Sequence, residues 1–210
     1  MGYRDIYDIL IAAGTIERPR IPNSELHSAA QSGEVDVARR LIDEGANVNA
    51  RNTDEMTPLH LAAQYGQKGI AELLITQGAD IEAKNVWGDR PLKWAVQHGK
   101  EGMVELLIAK GANVNAGGVE TALYWAARDG LKEIAELLLD NGAHTEAPPL
   151  FRAIKSGHRD LVELLLERGV AVDPLNGYDQ TPLHSAAVMG KKDIADILVA
   201  HGANTSNIYI

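Results

Sequence analysis

The chain has 210 residues, 45% of them apolar and only 5% aromatic, with a net charge of −9 and no cysteine. That balance argues against a broad basic face for nucleic acid, and the lack of cysteine excludes disulfides, thiol catalysis and thiolate-held metals. No apolar run reaches the roughly 20 residues of a spanning helix, and Asp5 and Asp8 interrupt any secretion signal, so the sequence predicts a soluble, cytoplasmic protein without a membrane partner.

Residues 5–14, Asp-Ile-Tyr-Asp-Ile-Leu-Ile-Ala-Ala-Gly, align with residues 193–202, Asp-Ile-Ala-Asp-Ile-Leu-Val-Ala-His-Gly. The first block is predicted to be an orphan outer helix, a half-repeat covering the apolar side of Leu26 and Ile42; the rival reading is that a longer array was cut at this point. Pro19 and Pro22 make the following linker an irregular crossing. The stretch from Thr57 to Ala83 then shows the pattern that organises everything else. Thr57 is an N-cap and Pro58 fits the first helical position, where no N–H is needed. Leu59, Ala62 and Ala63 form a narrow apolar stripe on a short helix that Gly66 stops. Ile70, Leu73 and Leu74 repeat the spacing on a second helix, closed by Gly78. Neither helix is long enough to hold alone in water, so each needs cover from neighbours.

Those neighbours are copies. Leu59 recurs as Leu26, Leu92, Leu123, Leu150 and Leu183, at intervals of 33, 33, 31, 27 and 33 residues. The closing glycine recurs as Gly45, Gly78, Gly111, Gly142, Gly169 and Gly202. Thr57-Pro58-Leu59-His60-Leu61-Ala62-Ala63 and Thr181-Pro182-Leu183-His184-Ser185-Ala186-Ala187 carry the same motif, and Gly-Ala-Asn-Val-Asn-Ala occurs at 45–50 and 111–116. A period near 33 with Thr-Pro-Leu-His-x-Ala resembles the ankyrin repeat family.

The resemblance runs from about residue 24 to 204 and implies one domain over 1–210, an all-α repeat solenoid of helix-turn-helix units with β-hairpin fingers. Its expected parts are a cap helix and linker (1–23) and repeats at about 24–50, 51–83, 84–116, 117–147, 148–173 and 174–210.

The distance from closing glycine to the Pro position measures each finger. It is 13 residues from Gly45, Gly78 and Gly169, 11 from Gly111 to Ala122, and only 7 from Gly142 to Pro149. The finger before repeat five is therefore predicted to be absent, leaving a notch floored by His144, Thr145 and Glu146. Pro148-Pro149-Leu150-Phe151 loses the usual cap there, and Arg90 replaces it in repeat three, with Asp89 as a substitute acceptor. The C-terminal Ile208-Tyr209-Ile210 either folds over the last helix pair or frays.

Chemistry finds no foothold. In the family resembled, the histidine of the motif (His27, His60 and His184 here) holds the neighbouring loop by hydrogen bonds, and repeats about 10 Å apart cannot gather these rings on one metal. His98, His144, His158 and His201 have no ligand-type partner at i+4, so no zinc helix motif exists. Gly117-Gly118 is too short for a phosphate cradle. No catalytic residue, cofactor or metal is assigned. The acidic outer-helix residues, Glu72 and Glu105 among them, read as a solvated face. Asn49 and Asn115 read as turn stabilisers.

The aromatics sit where the fold does not ask for them. Trp94 and Trp125 share one slot, which elsewhere holds Ser28, Leu61, Arg152 and Ser185. Trp87 lies at a fingertip with Tyr178 as its equivalent, and Tyr65 and His98 share the last inner-helix position. The resemblance implies a concave binding surface made of fingers and inner helices. The sequence thus predicts a non-enzymatic, monomeric module for a protein or peptide partner. Trp87, Trp94 and Trp125 form its centre, surrounded by Met56, Tyr65, His98, Arg128 and Asp129. The alternative is a regulatory or targeting segment of a larger enzyme or effector. A weaker expectation is a small-molecule pocket near His144 and Phe151.

Overall fold

The computed structural model describes residues 23–118 and 120–206. The orphan helix expected at 5–14, its linker as far as residue 22 and the C-terminal residues 208–210 lie outside the described residues. Within them, twelve helices follow one another in six antiparallel pairs: α1 (Asn23–Ser32) with α2 (Val35–Asp43), α3 (Pro58–Tyr65) with α4 (Lys68–Thr76), α5 (Pro91–Gln97) with α6 (Glu101–Ala109), α7 (Ala122–Asp129) with α8 (Lys132–Asp140), α9 (Ala147–Ser156) with α10 (Arg159–Glu167), and α11 (Pro182–Val188) with α12 (Lys192–Ala200). The odd-numbered helices pack on one another as an inner layer and the even-numbered ones as an outer layer.

The periodic leucines make this possible. Leu26, Leu59, Leu92, Leu123, Leu150 and Leu183 are all buried and form one column through the stack. Burying each stabilises the fold by about 1.5–3 kcal/mol. Small residues at Ala62, Ala63, Ala95, Ala126 and Ala127 are also buried, which lets the inner helices approach closely. Gly66 ends α3 at φ 77°, a left-handed conformation that L side chains resist. The outer helices end on a repeated bond: Ala79 N–H to the Leu74 carbonyl and Ala112 N–H to Leu107, both 2.9 Å.

The helix starts differ in ways the sequence foreshadows. Thr121 and Thr181 accept N–H bonds from Tyr124 and His184. Glu146, before α9, makes no side-chain capping bond, and α9 opens two residues earlier than α3, α5, α7 and α11 do relative to their leucines. Arg90 also makes no capping bond. Asp89, expected to substitute, instead spends its carboxylate on Lys93 Nζ at 2.6 Å. A lysine one turn away is the stronger attraction for a carboxylate.

The fingers are tight turns, and no strand occurs among the described residues. Each long finger is closed by an asparagine at a fixed place. Asn52, Asn85 and Asn176 donate their N–H to the carbonyls of Met56, Asp89 and Gln180. Their side-chain oxygens accept two further backbone N–H groups. Side-chain amides thus do the work of a strand ladder. Only four residues separate Gly142 from α9, so the fifth finger is missing as expected.

Asn49 and Asn115 act across repeats rather than within their own turns. Asn49 bonds the Gly78 carbonyl and the Asp80 N–H, while Asn115 bonds the Gly142 carbonyl and the His144 N–H. The local turn is held by the first asparagine of each pair, Asn47 or Asn113.

Candidate protein-interaction surface

The site begins at finger three. Asn85 accepts the Trp87 N–H at 3.0 Å and so fixes the fingertip, where Trp87 is 61% exposed. Finger two braces it through Val86 N–H to the Asp54 carbonyl, 3.1 Å. His60 holds it from below. Its Nδ1 faces two donors, the Thr57 N–H at 3.1 Å and hydroxyl at 2.9 Å, so the ring proton sits on Nε2 and donates to the Asp89 carbonyl at 3.0 Å. Burial strips the ring of solvent and lowers its pKa below the ordinary 6.5, which keeps this tautomer neutral. His27 makes the equivalent bond to the Met56 carbonyl at 2.9 Å.

From Trp87 an aromatic row crosses onto the inner helices. Trp94 lies 6.4 Å away between ring centroids, tilted by 47°, and stacks on His98 at 5.4 Å. One repeat further, Trp125 meets the edge of Tyr124 at 5.8 Å. Its face is covered by two cations, Lys93 Nζ at 4.5 Å and Arg128 at 4.0 Å from the centroid, a strong arrangement for an indole. Arg128 is locked by Asp129 through bonds of 2.7 and 2.8 Å. Lys93 pairs with Asp89 and, at 3.9 Å, with Glu120. The indole N–H groups of Trp94 and Trp125 are buried without an acceptor among the described residues.

The structure therefore brings together Trp87, Trp94, His98, Trp125, Arg128 and Asp129. Two of the expected residues fall elsewhere. Met56 is 4% exposed, because the position before the N-cap points into the core, and only its backbone serves the site. Tyr65 is 44% exposed but pairs with Gln31 of the preceding repeat through its hydroxyl, at 3.2 Å. Sequence reasoning missed Lys93 and Arg152, each of which lies over a ring one repeat away, and Tyr124, which meets its chain neighbour Trp125.

Between fingers three and four lies a cleft of about 340 Å³, lined by Trp87, Asp89, Lys93, Asn113, Gly117 and Glu120 among others. It opens because the fourth finger is shorter and turns sharply at Gly117 (φ 112°), where a Cβ would meet the Glu120 carbonyl at 2.8 Å. His144 and Phe151 line two neighbouring depressions that share Pro148. No three His, Asp or Glu side chains converge as a metal site among the described residues, and no helix there is long and apolar enough to cross a membrane.

Helix pairs stacked in two layers, with one face of inner helices and fingertips left open, define a helical repeat solenoid of the kind that binds through its surface. The chain belongs to the ankyrin repeat family: a profile for ankyrin repeats (3 copies) matches residues 2–85, 26–118, 83–148 and 144–208. Ankyrin repeats are general protein–protein interaction modules.

Among solved structures, the human ASB11 ankyrin repeat domain is 30% identical, with a TM-score of 0.78 over 87% of this chain and 85% of that one. An ankyrin repeat domain from Acinetobacter baumannii AYE is 26% identical with the same TM-score, over 86% and 98%. The ankyrin repeat domain of Bcl-3, described as a member of the IkappaB protein family, is 28% identical at 0.78, over 86% and 87%. Among curated sequences, the ankyrin repeat protein nuc-2 of Neurospora crassa is 37% identical over 60 residues, 29% of this chain. An ankyrin repeat protein of Rickettsia felis is 39% identical over 67 residues, 28% of this chain. The aligned stretches span 6% and 29% of those two proteins.

Proposed function

We propose that this chain is a non-enzymatic interaction module, one domain of a half-repeat and six repeats, that holds a protein or peptide partner on its concave face. The centre of recognition is Trp87, with Trp94, His98 and Trp125 behind it and Arg128 and Asp129 at the margin. The observation that carries the reading is an indole 61% exposed on a fingertip that Asn85, Val86 and His60 hold rigid. Large aromatic area with few torsions to freeze is what binding hot spots use. Flanking polar residues set specificity by rejecting partners that leave them unpaired. The reading places the module in the cytoplasm as a monomer.

The test compares partner capture by wild type, Trp87→Ala and an outer-helix control, Glu133→Lys. Loss with the first and retention with the second supports the concave face. Unchanged capture by Trp87→Ala refutes it. A second reading, a regulatory or targeting segment of a larger protein, is favoured by the small share of the curated relatives that aligns. A catalytic domain in the same reading frame would establish it.

A further inference from the structure

Charge is divided between the two layers. The six inner helices carry four cations, Lys93, Arg128, Arg152 and Lys155, against Glu25 and Asp129. The six outer helices carry thirteen acidic residues against six basic ones. In a chain with a net charge of −9, the inner of the two described helix layers thus carries a positive balance.

The four cations are not equivalent. Lys93 and Arg128 are already neutralised, by Asp89 and Glu120 and by Asp129. Arg152 and Lys155 have no carboxylate within ion-pair distance among the described residues. Arg152 lies over the Tyr124 ring at 4.6 Å, which holds the guanidinium flat and leaves its edge free. Both cations line a groove of about 280 Å³ with Tyr124, Pro148, Phe151 and Asn176. The absent fifth finger leaves its Pro148 edge open, since the same proline lines the neighbouring depression of His144 and Glu146. In the three repeats with a full 13-residue spacing, a finger stands beside the start of the inner helix. Here α9 begins almost directly after Gly142.

We propose that this groove is a carboxylate-binding subsite, in which Arg152 and Lys155 take Asp or Glu side chains of an extended acidic segment of the protein partner, while Phe151 and Tyr124 hold an apolar residue beside them. The proposal rests on the concave-face reading and adds the partner's chemistry to it. The guanidinium offers a planar fork for one carboxylate, and the ammonium, one helical turn on, takes a second or shares the first. The aromatic and proline surfaces between them exclude water and fix the chain's path. An internal segment is the occupant, since the missing finger leaves the groove open to a through-running chain.

The experiment uses the full chain and fluorescence anisotropy with three labelled probes: a glutamate–tyrosine copolymer, a lysine–tyrosine copolymer and single-stranded oligothymidylate. The glutamate–tyrosine copolymer is expected to bind, and to bind more weakly as salt is raised. Arg152→Gln with Lys155→Gln should weaken it by about tenfold or more, an exchange of two charge-assisted contacts for neutral ones. Lys155 is exposed and Arg152 half-buried, and an unchanged melting temperature confirms that the double variant folds. Preference for the lysine copolymer or the oligonucleotide, or no binding of the acidic copolymer, overturns the proposal. If the double variant binds the acidic copolymer as wild type does while Trp87→Ala does not, the groove is wrong and the concave face stands. If neither variant loses affinity, both fail.

Discussion

Replacing His60 by leucine tests how a buried side chain controls an exposed one. Leucine is apolar and of similar size, so the cavity contribution is small and the polar one dominates. The Thr57 N–H, on a residue only 1% exposed, loses its acceptor on His60. A buried donor left unpaired costs about 1–3 kcal/mol. The Asp89 carbonyl keeps the Asn85 N–H and loses only one of its two bonds, a further loss of about 0.5–1.5 kcal/mol. Together the change should cost about 2–4 kcal/mol in urea denaturation. It should also speed amide exchange over residues 85–89, because finger three has lost its lower anchor, and it should weaken partner capture although His60 touches no partner. A loss below about 1 kcal/mol, or normal exchange at the fingertip, would refute the reasoning.

The same residue sets a pH dependence. Its folded pKa lies below the unfolded value, so between the two the unfolded chain binds the extra proton. Stability is therefore fully present above pH 6.5, falls as the pH drops through the window between 6.5 and the folded pKa, and levels off below it. In wild type the slope stays below the one-proton limit of about 1.4 kcal/mol per pH unit, and His60→Leu should flatten it; an equal slope in both proteins assigns the effect elsewhere. Gly130→Ala places a Cβ 2.6 Å from His158 Nδ1 at φ 72°, whereas Gly142→Ala meets nothing within 4 Å. Both incur about 1 kcal/mol of left-handed strain, and only the first should exceed about 2 kcal/mol in thermal unfolding. Trp87→Ala should cost about 1–2 kcal/mol from its partly covered ring, and Trp125→Ala about 3 kcal/mol or more, because Tyr124, Lys93 and Arg128 pack on it. Equal losses in denaturant would show that the two indoles share one environment.

The period of the leucines and glycines made the stack legible, because a short amphipathic helix pair has no way to bury its stripe except against another copy. Finger lengths were equally readable, since a turn needs a minimum of chain. What the turns are made of was less so. Asn52 and Asn85 stand 33 residues apart, and that spacing was the available signal for their closing role. At the site, the exposure of Trp87 followed from its place at a fingertip. The setting of Trp125 did not, because Lys93 reaches it from another repeat and depends on how a long, flexible side chain settles. Met56 was misplaced for a related reason: position in the motif locates the backbone, and the direction of the side chain emerges only once neighbours are in place.

Each staple from Asn49 and Asn115 crosses a single junction and goes no further. An assembly linked in this way melts from its outermost units inward, since a terminal unit has one neighbour to lose and a central unit has two. The indoles at Trp87, Trp94 and Trp125 belong to the third and fourth of six helix pairs. Warming should therefore fray the outer helix pairs of this chain while the proposed binding surface is still in shape, and half-denatured protein is expected to retain partner capture.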